Sequence, residues 1–257
     1  MLRKTVSIVS LLAATALPAL AESPSSAASF SDAQKTEIQT IVHDYLVKNP
    51  EVLVDVSKAL QEKQNHEMQS QAKNAVIENA PKLFSAKNSP TVGSENADVT
   101  LVEFFDYQCV HCKHMVGVVD ELTKKNKNLR VVFKQFPIFG QDSEYAARAA
   151  LAAQYQSKFT AFHNALMKNE GRLTSDQVMK LAKASGLNVK KLKQDMDKPE
   201  VNQELRDNME VARKMRLMGT PAFIVSGTPF KKDKEFFFVP GSASMETLQS
   251  YIDKAKS

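Results

Sequence analysis

Apolar residues recur at helical spacing through Ile38, Ile41, Val42, Tyr45 and Leu46, one stripe on an otherwise polar segment. Ser31 with Gln34 three places on predicts a capping box that starts this helix. Asn49-Pro50 ends it and opens a second helix, with Asn49 as the cap and Pro50 in the first turn. Val52, Leu53, Val56, Ala59 and Leu60 continue an apolar face, but between Gln61 and Asn74 only Met68 and Ala72 are apolar. A helix from Pro50 to Asn79 would be about 45 Å long with a middle that no core can accept. Residues 31–88 therefore read as a helical dimerisation arm and stalk, whose apolar face a second copy of the chain would cover. The competing reading folds both helices back onto the rest of the chain.

From Ser89 the pattern changes. Val99 to Phe105 is apolar on both faces except at Glu103, as in a buried central strand. A helix to about Lys125 follows, then a second strand from Leu129 to Phe136. Residues 142–217 are helical throughout, with later helices starting near Thr174, Asn188 and Pro199. Ala222 to Val225 and Glu235 to Val239 look like paired strands across a Gly/Pro/Lys turn, and a last helix spans about Ser244 to Lys254. The predicted class is α/β.

The amino terminus concerns targeting. Arg3 and Lys4 precede an apolar run from Val6 to Leu20, and Ala19-Leu20-Ala21 offers a cleavage site after Ala21. The run is shorter than the roughly 20 residues that span a bilayer, so residues 1–21 read as a cleaved signal peptide and 22–30 as a flexible spacer. Cleavage lowers the formal charge from +5 to +3 by removing Arg3 and Lys4. The remaining cations are scattered among acids, and no basic face suited to nucleic acid forms.

Both cysteines of the chain lie in Cys109-Val110-His111-Cys112. A bond between thiols three positions apart closes a tiny loop, worth at most about 2 kcal/mol, so the pair reads as chemical rather than structural. On the first turn of a helix the two sulfurs face the same way. Cys109 sits where free backbone N–H groups and the helix dipole favour an anion, and the thiolate is the reactive form. Cys109 is thus the expected exposed nucleophile and Cys112 its resolving partner, with His111 able to donate a hydrogen bond or charge to the same sulfur. Favouring the thiolate makes the disulfide more oxidising. A c-type haem would need His where Lys113 stands, and His111 and His114 are too close to complete a zinc tetrahedron. Cu(I) on the soft thiolates stays open.

Two further signals flank the pair. Gly219-Thr220-Pro221 precedes a short strand, where proline removes a ladder bond; from the residues alone a trans turn is the commoner outcome. Glu103 on its apolar strand either exchanges a proton with Cys112 through water or pairs with Lys134 of the neighbouring strand. Met215 and Met218 read as lining a groove or core.

LVEFFDYQCVHCKHM, RVVFKQFPIFG, a helical stretch, GTPAFIV and FVPG together closely resemble the DsbA-type thiol:disulfide interchange proteins over about residues 89–257. The resemblance implies a thioredoxin fold with a helical insertion at about 141–217. It implies that Cys109 attacks, Cys112 is buried, His111 sets the reactivity of Cys109, Glu103 is the buried acid and Pro221 is a cis proline. Val110, Thr220 and Pro221 would then contact substrate. Residues 31–88 depart from the monomeric pattern and resemble amino-terminally extended, dimeric relatives of Gram-negative bacteria, some labelled outer-membrane proteins. Thr220 differs from the valine of the strongest oxidases and looks like the residue of isomerases. A periplasmic homodimer is therefore expected, open to outer-membrane association, that oxidises and also reshuffles disulfides of unfolded or misoxidised exported proteins. A membrane redox partner would recycle it, and the Cys109–Cys112 disulfide would replace any metal or organic cofactor. The alternative is a dimeric surface or copper-binding protein whose cysteine pair is not catalytic.

Overall fold

The computed structural model describes residues 30–84 and 87–256, so the expected signal peptide and most of the spacer lie outside the described residues. The chain divides into two compact units, residues up to Ala59 and residues from Leu60 onward. The expected arm, 31–88, straddles that boundary.

The first unit holds α1 (Asp32–Lys48) and the start of α2 (Glu51–Glu78). The Ser31–Gln34 capping box forms, Ser31 Oγ accepting from the Gln34 amide at 3.3 Å and Gln34 Oε1 accepting from the Ser31 amide at 2.9 Å. Asn49 closes α1 as expected, its side-chain amide turning back to donate to the Tyr45 carbonyl at 2.8 Å. No residue of α1 is buried, and Ile38, Ile41, Val42 and Tyr45 are all exposed.

In the second unit α2 finishes and α3 (Ala80–Phe84) follows. Then come β1 (Thr91–Gly93), β2 (Val99–Phe105), α4 (Val110–Lys125) and β3 (Leu129–Gln135). Helices α5 (Gln141–Ala152), α6 (Phe159–Lys168), α7 (Ser175–Ala184), α8 (Val189–Met196) and α9 (Pro199–Lys214) form the insertion. The chain closes with β4 (Ala222–Gly227), β5 (Phe236–Pro240) and α10 (Met245–Ala255). The sheet order is β1-β3-β2-β4-β5, with β2 and β3 parallel and the other pairs antiparallel. This is a thioredoxin fold interrupted by helices.

Strand β2 is buried along its whole length because helices cover both faces of the sheet. Leu101, Phe105, Val131, Phe133, Phe223 and Val225 join Met115 and Leu122 of α4 and Leu248 and Ile252 of α10 in one core. The alternate residues Val102, Phe104, Val132, Ala222 and Ile224 pack with Val211 and Met215 on the other side. That second core also takes in Val76, Leu83 and Phe84, so the end of the helical stretch is part of the body.

Strand β1 has no counterpart in the sequence reading. It is three residues long, too short for an alternating pattern, and its role shows in Gly93. Gly93 adopts φ +94°, and a Cβ there would meet the Leu129 carbonyl oxygen at 2.2 Å.

Candidate active site

The parallel ends of β2 and β3 and the start of α4 build the site. Asp106 ends the strand and is buried, its carboxylate accepting from four donors. These are the Gln108 amide and Ser143 hydroxyl, both at 2.8 Å, and the Ile138 and Phe139 amides at 2.8 and 3.2 Å. Its carbonyl also accepts the Cys109 amide at 3.1 Å. The turn before the cysteines is therefore locked to the loop after β3. The sequence reading missed Asp106; an acid closing an apolar strand three residues before a reactive cysteine was the available signal.

Cys109 is the N-cap of α4. Its sulfur accepts from the Cys112 amide at 3.4 Å and its thiol donates to the Thr220 carbonyl at 3.2 Å. Both cysteines are free thiols. Cys109 was expected to be exposed, yet it is only 3 % exposed, because the Thr220–Pro221 loop lies over the sulfur. Val110 beside it is 56 % exposed and His111 is exposed as well, so the motif still faces solvent through its middle residues. Cys112 is buried, and burial pushes its thiol well up, the Thr220 hydroxyl drawing it partly back. The Thr220–Pro221 peptide is cis, as the resemblance implied and the bare residues did not.

Glu103 is 3 % exposed, and its carboxyl is pushed up to about 8, mainly by burial and then by the negative charge of Asp120. It lines a cavity of about 20 Å³ shared with Asp120, Thr160, His163 and Asn164, which gives room for about one water. No hydrogen bond joins it to either sulfur. It does not pair with Lys134. In the parallel register Glu103 is opposite Phe133 and Phe104 is opposite Lys134, so the two charged residues lie on opposite faces. Lys134 instead donates to Glu204 of α9 at 3.0 Å and to Ser89 at 2.5 Å. Burial still lowers the lysine below its ordinary value against the pull of Glu204. His163 is likewise buried and forced down to about 3 by burial, its Nδ1 lying 3.1 Å from the Tyr107 hydroxyl.

Among the described residues no group of three or more His, Cys, Asp or Glu could hold a metal ion. The arrangement is a dithiol at a helix amino end, closed over by a backbone carbonyl, with a buried acid, Glu103, on the strand that precedes it.

Comparison with known proteins agrees with that geometry. The model of the DSBA-like thioredoxin domain matches residues 100–253, and that of the copper resistance protein ScsC N-terminal domain matches residues 34–67. A thioredoxin-like oxidoreductase from Silicibacter pomeroyi DSS-3 is 39 % identical, covers 68 % of this chain and 96 % of its own, and superposes with TM-score 0.63. Salmonella enterica Typhimurium BcfH is 33 % identical over 88 % of this chain and 97 % of its own, with TM-score 0.74. ScsC from Proteus mirabilis, in a transitional conformation, is 27 % identical over 90 % of this chain and 99 % of its own, with TM-score 0.62. The ScsC model falls on the helices that precede the thioredoxin fold and the DsbA model on the fold itself, each where the structure changes character. The chain belongs to the DSBA-like thioredoxin domain family, as an amino-terminally extended thiol:disulfide oxidoreductase.

Proposed function

We propose that Cys109 and Cys112 are the redox pair of an exported enzyme that forms and reshuffles disulfides in other exported proteins. The observation that carries this reading is Cys109 as the N-cap of α4, its sulfur accepting the Cys112 amide and lying 3.2 Å from the Thr220 carbonyl. The Cys112 amide and the amino end of α4 both face that sulfur, while burial keeps Cys112 protonated until it is needed.

In oxidation, a substrate thiolate attacks Cys109 of the Cys109–Cys112 disulfide. A mixed disulfide forms and Cys112 leaves as a thiolate that takes up a proton. A second substrate thiolate then attacks the substrate sulfur, Cys109 leaves, and the substrate carries the new disulfide while the enzyme keeps both electrons as a dithiol. In isomerisation the reduced Cys109 attacks a wrong disulfide, and a different substrate thiol expels it. Glu103, protonated at neutral pH and buried on the strand that leads to the cysteine motif, is the acid proposed to exchange a proton with Cys112. His111, exposed on the first turn, can donate to the sulfur of Cys109. Val110, Thr220 and Pro221 border that sulfur and would touch the bound peptide. No metal or organic cofactor enters these steps.

The leader-like residues 1–21 support export to the periplasm, where a membrane redox partner would reoxidise the dithiol. The exposed apolar residues of α1 and early α2 support self-association through residues 31–88, a homodimer being the smallest assembly that covers them. Purified protein should oxidise a reduced, unfolded test protein and recover activity from a scrambled one. A Cys109→Ala variant that performs as well as the parent overturns this reading.

The match to the ScsC amino-terminal model favours one second reading, in which the paired sulfurs carry Cu(I). Titration of the reduced protein with Cu(I), with and without Cys109, separates the two.

A further inference from the structure

At the end of the sheet away from the cysteines lies a pocket that thiol chemistry does not use. Thr100 and Arg130 are register partners near the starts of β2 and β3, whereas Cys109 follows the end of β2. At about 3.3 Å per residue the strand separates Thr100 from Phe105 by roughly 17 Å. The pocket holds about 540 Å³, within the size range of small-molecule sites. Phe84 of α3, Val132 of β3 and Phe230 of the turn after β4 line it, and the two phenyl rings stack at 4.7 Å and 9° to make an apolar wall. Helix α3 precedes the thioredoxin fold, so the extension of the chain supplies part of that wall.

The polar lining has donors to spare. Arg130 Nη2 donates to the Phe84 carbonyl at 2.8 Å and to Thr100 Oγ1 at 3.1 Å, and Thr100 Oγ1 lies 2.7 Å from Thr228 Oγ1. Two hydroxyls that share one hydrogen bond leave one hydroxyl hydrogen for another acceptor, whichever threonine donates the first. Arg130 Nε is buried and has no partner among the described residues. The charge is equally one-sided. Arg130 and Lys87 both line the pocket, and no Asp or Glu lines it among the described residues. Asp207 and Glu210 of α9 are engaged by Lys82, at 2.9 Å each, and do not offset the guanidinium. The pocket therefore lacks an acceptor and a negative charge, next to an aromatic wall.

We propose that this pocket binds a small organic carboxylate with an apolar body. Arg130, Lys87 and the Thr100–Thr228 hydroxyl pair face the anion, since a guanidinium suits a carboxylate in both charge and geometry. The body of the ligand lies against Phe84 and Phe230. The site is separate from the sulfurs, and it stands whether or not the cysteine pair is catalytic.

The test is titration calorimetry on the full-length protein with three probes: phenylbutyrate, its uncharged analogue phenylbutanamide, and inorganic phosphate. Phenylbutyrate should bind about tenfold more tightly than the amide, the scale of a hydrogen bond to a charged group. It should also exceed phosphate by about tenfold, because phosphate leaves the aromatic wall uncovered. Arg130→Gln should bring the acid down to the affinity of the amide, and Phe230→Ala should weaken acid and amide alike. Equal affinity for acid and amide, phosphate binding as tightly as phenylbutyrate, or no binding of phenylbutyrate at millimolar concentration overturns the proposal. These three outcomes are read on the parent protein, so they do not depend on whether a variant folds. A folded Arg130→Gln variant that keeps the preference for the acid overturns it as well.

Discussion

Helices α1 and α4 carry similar numbers of apolar residues but different fates. In α4 the buried positions Cys112, Met115, Val119 and Leu122 follow one stripe that presses onto the sheet. In α1 the residues Ile38, Ile41, Val42 and Tyr45 make a comparable stripe, and none is buried. A stripe of apolar residues says that something will cover it, and only the fold says whether the cover is the same chain. The boundary between the two fates falls inside α2. Val56 is exposed, whereas Val76 is fully buried in the core with Leu83 and Phe84.

The largest expected effect lies in the body. Cys109→Ala should slow disulfide exchange by on the order of a thousandfold or more, since no other thiol occupies the helix cap. Removing residues 22–59 should leave exchange with glutathione within twofold, and the pair of rates measures how independent the regions are. A truncated protein that loses exchange would erase the contrast.

The pH dependence of stability probes the interior of the body. Between about pH 4.5 and 8 folded Glu103 keeps a proton that the unfolded chain releases, so stability declines as pH rises through that window. The full penalty, reached above pH 8, is about 5 kcal/mol at roughly 1.4 kcal/mol per pH unit. Glu103→Gln should flatten the decline and stabilise the protein at pH 9 by about 3–5 kcal/mol relative to the parent, with little change at pH 4. Urea unfolding at the two pH values checks this, and identical pH slopes for variant and parent would refute it.

Leu83→Ala should cost about 3 kcal/mol, because Leu83 is fully buried against the sheet. The same truncation at exposed Ile41 should leave the unfolding of the body within about 0.5 kcal/mol. Its effect belongs to assembly: Ile41→Ser with Tyr45→Ser should shift the sedimentation of the full chain toward monomer. Unchanged sedimentation in that double variant would leave the exposed stripe without a partner in solution.

Much of this molecule was legible in order along the chain. The apolar run Val99–Phe105 became β2 with the same limits, the Ser31–Gln34 capping box formed, and the cysteine pair sits on the first turn of α4. Local signals of this kind need only neighbours within four residues. The β1 strand, the burial of Cys109 and the bonds of Asp106 to Ile138, Phe139 and Ser143 were not legible, since each depends on residues tens of positions away. Lys134 is the clearest case. Its neighbour in sequence pattern was Glu103, but a parallel register places residue 103 opposite 133, and a one-residue offset sends the two side chains to opposite faces.

The sequence by itself determined the periodicities, the spacing of the two sulfurs and the helix that begins at them, because these follow from backbone geometry over a single turn. Tertiary structure alone decided which apolar faces find cover, that Thr220 reaches Cys109 across 111 positions, and that α3 walls a pocket at the other end of the sheet. Burial, and with it the charge state of Glu103 and Cys112, belongs to the packed molecule, since the cost of a charge depends on how much water the surrounding chain excludes.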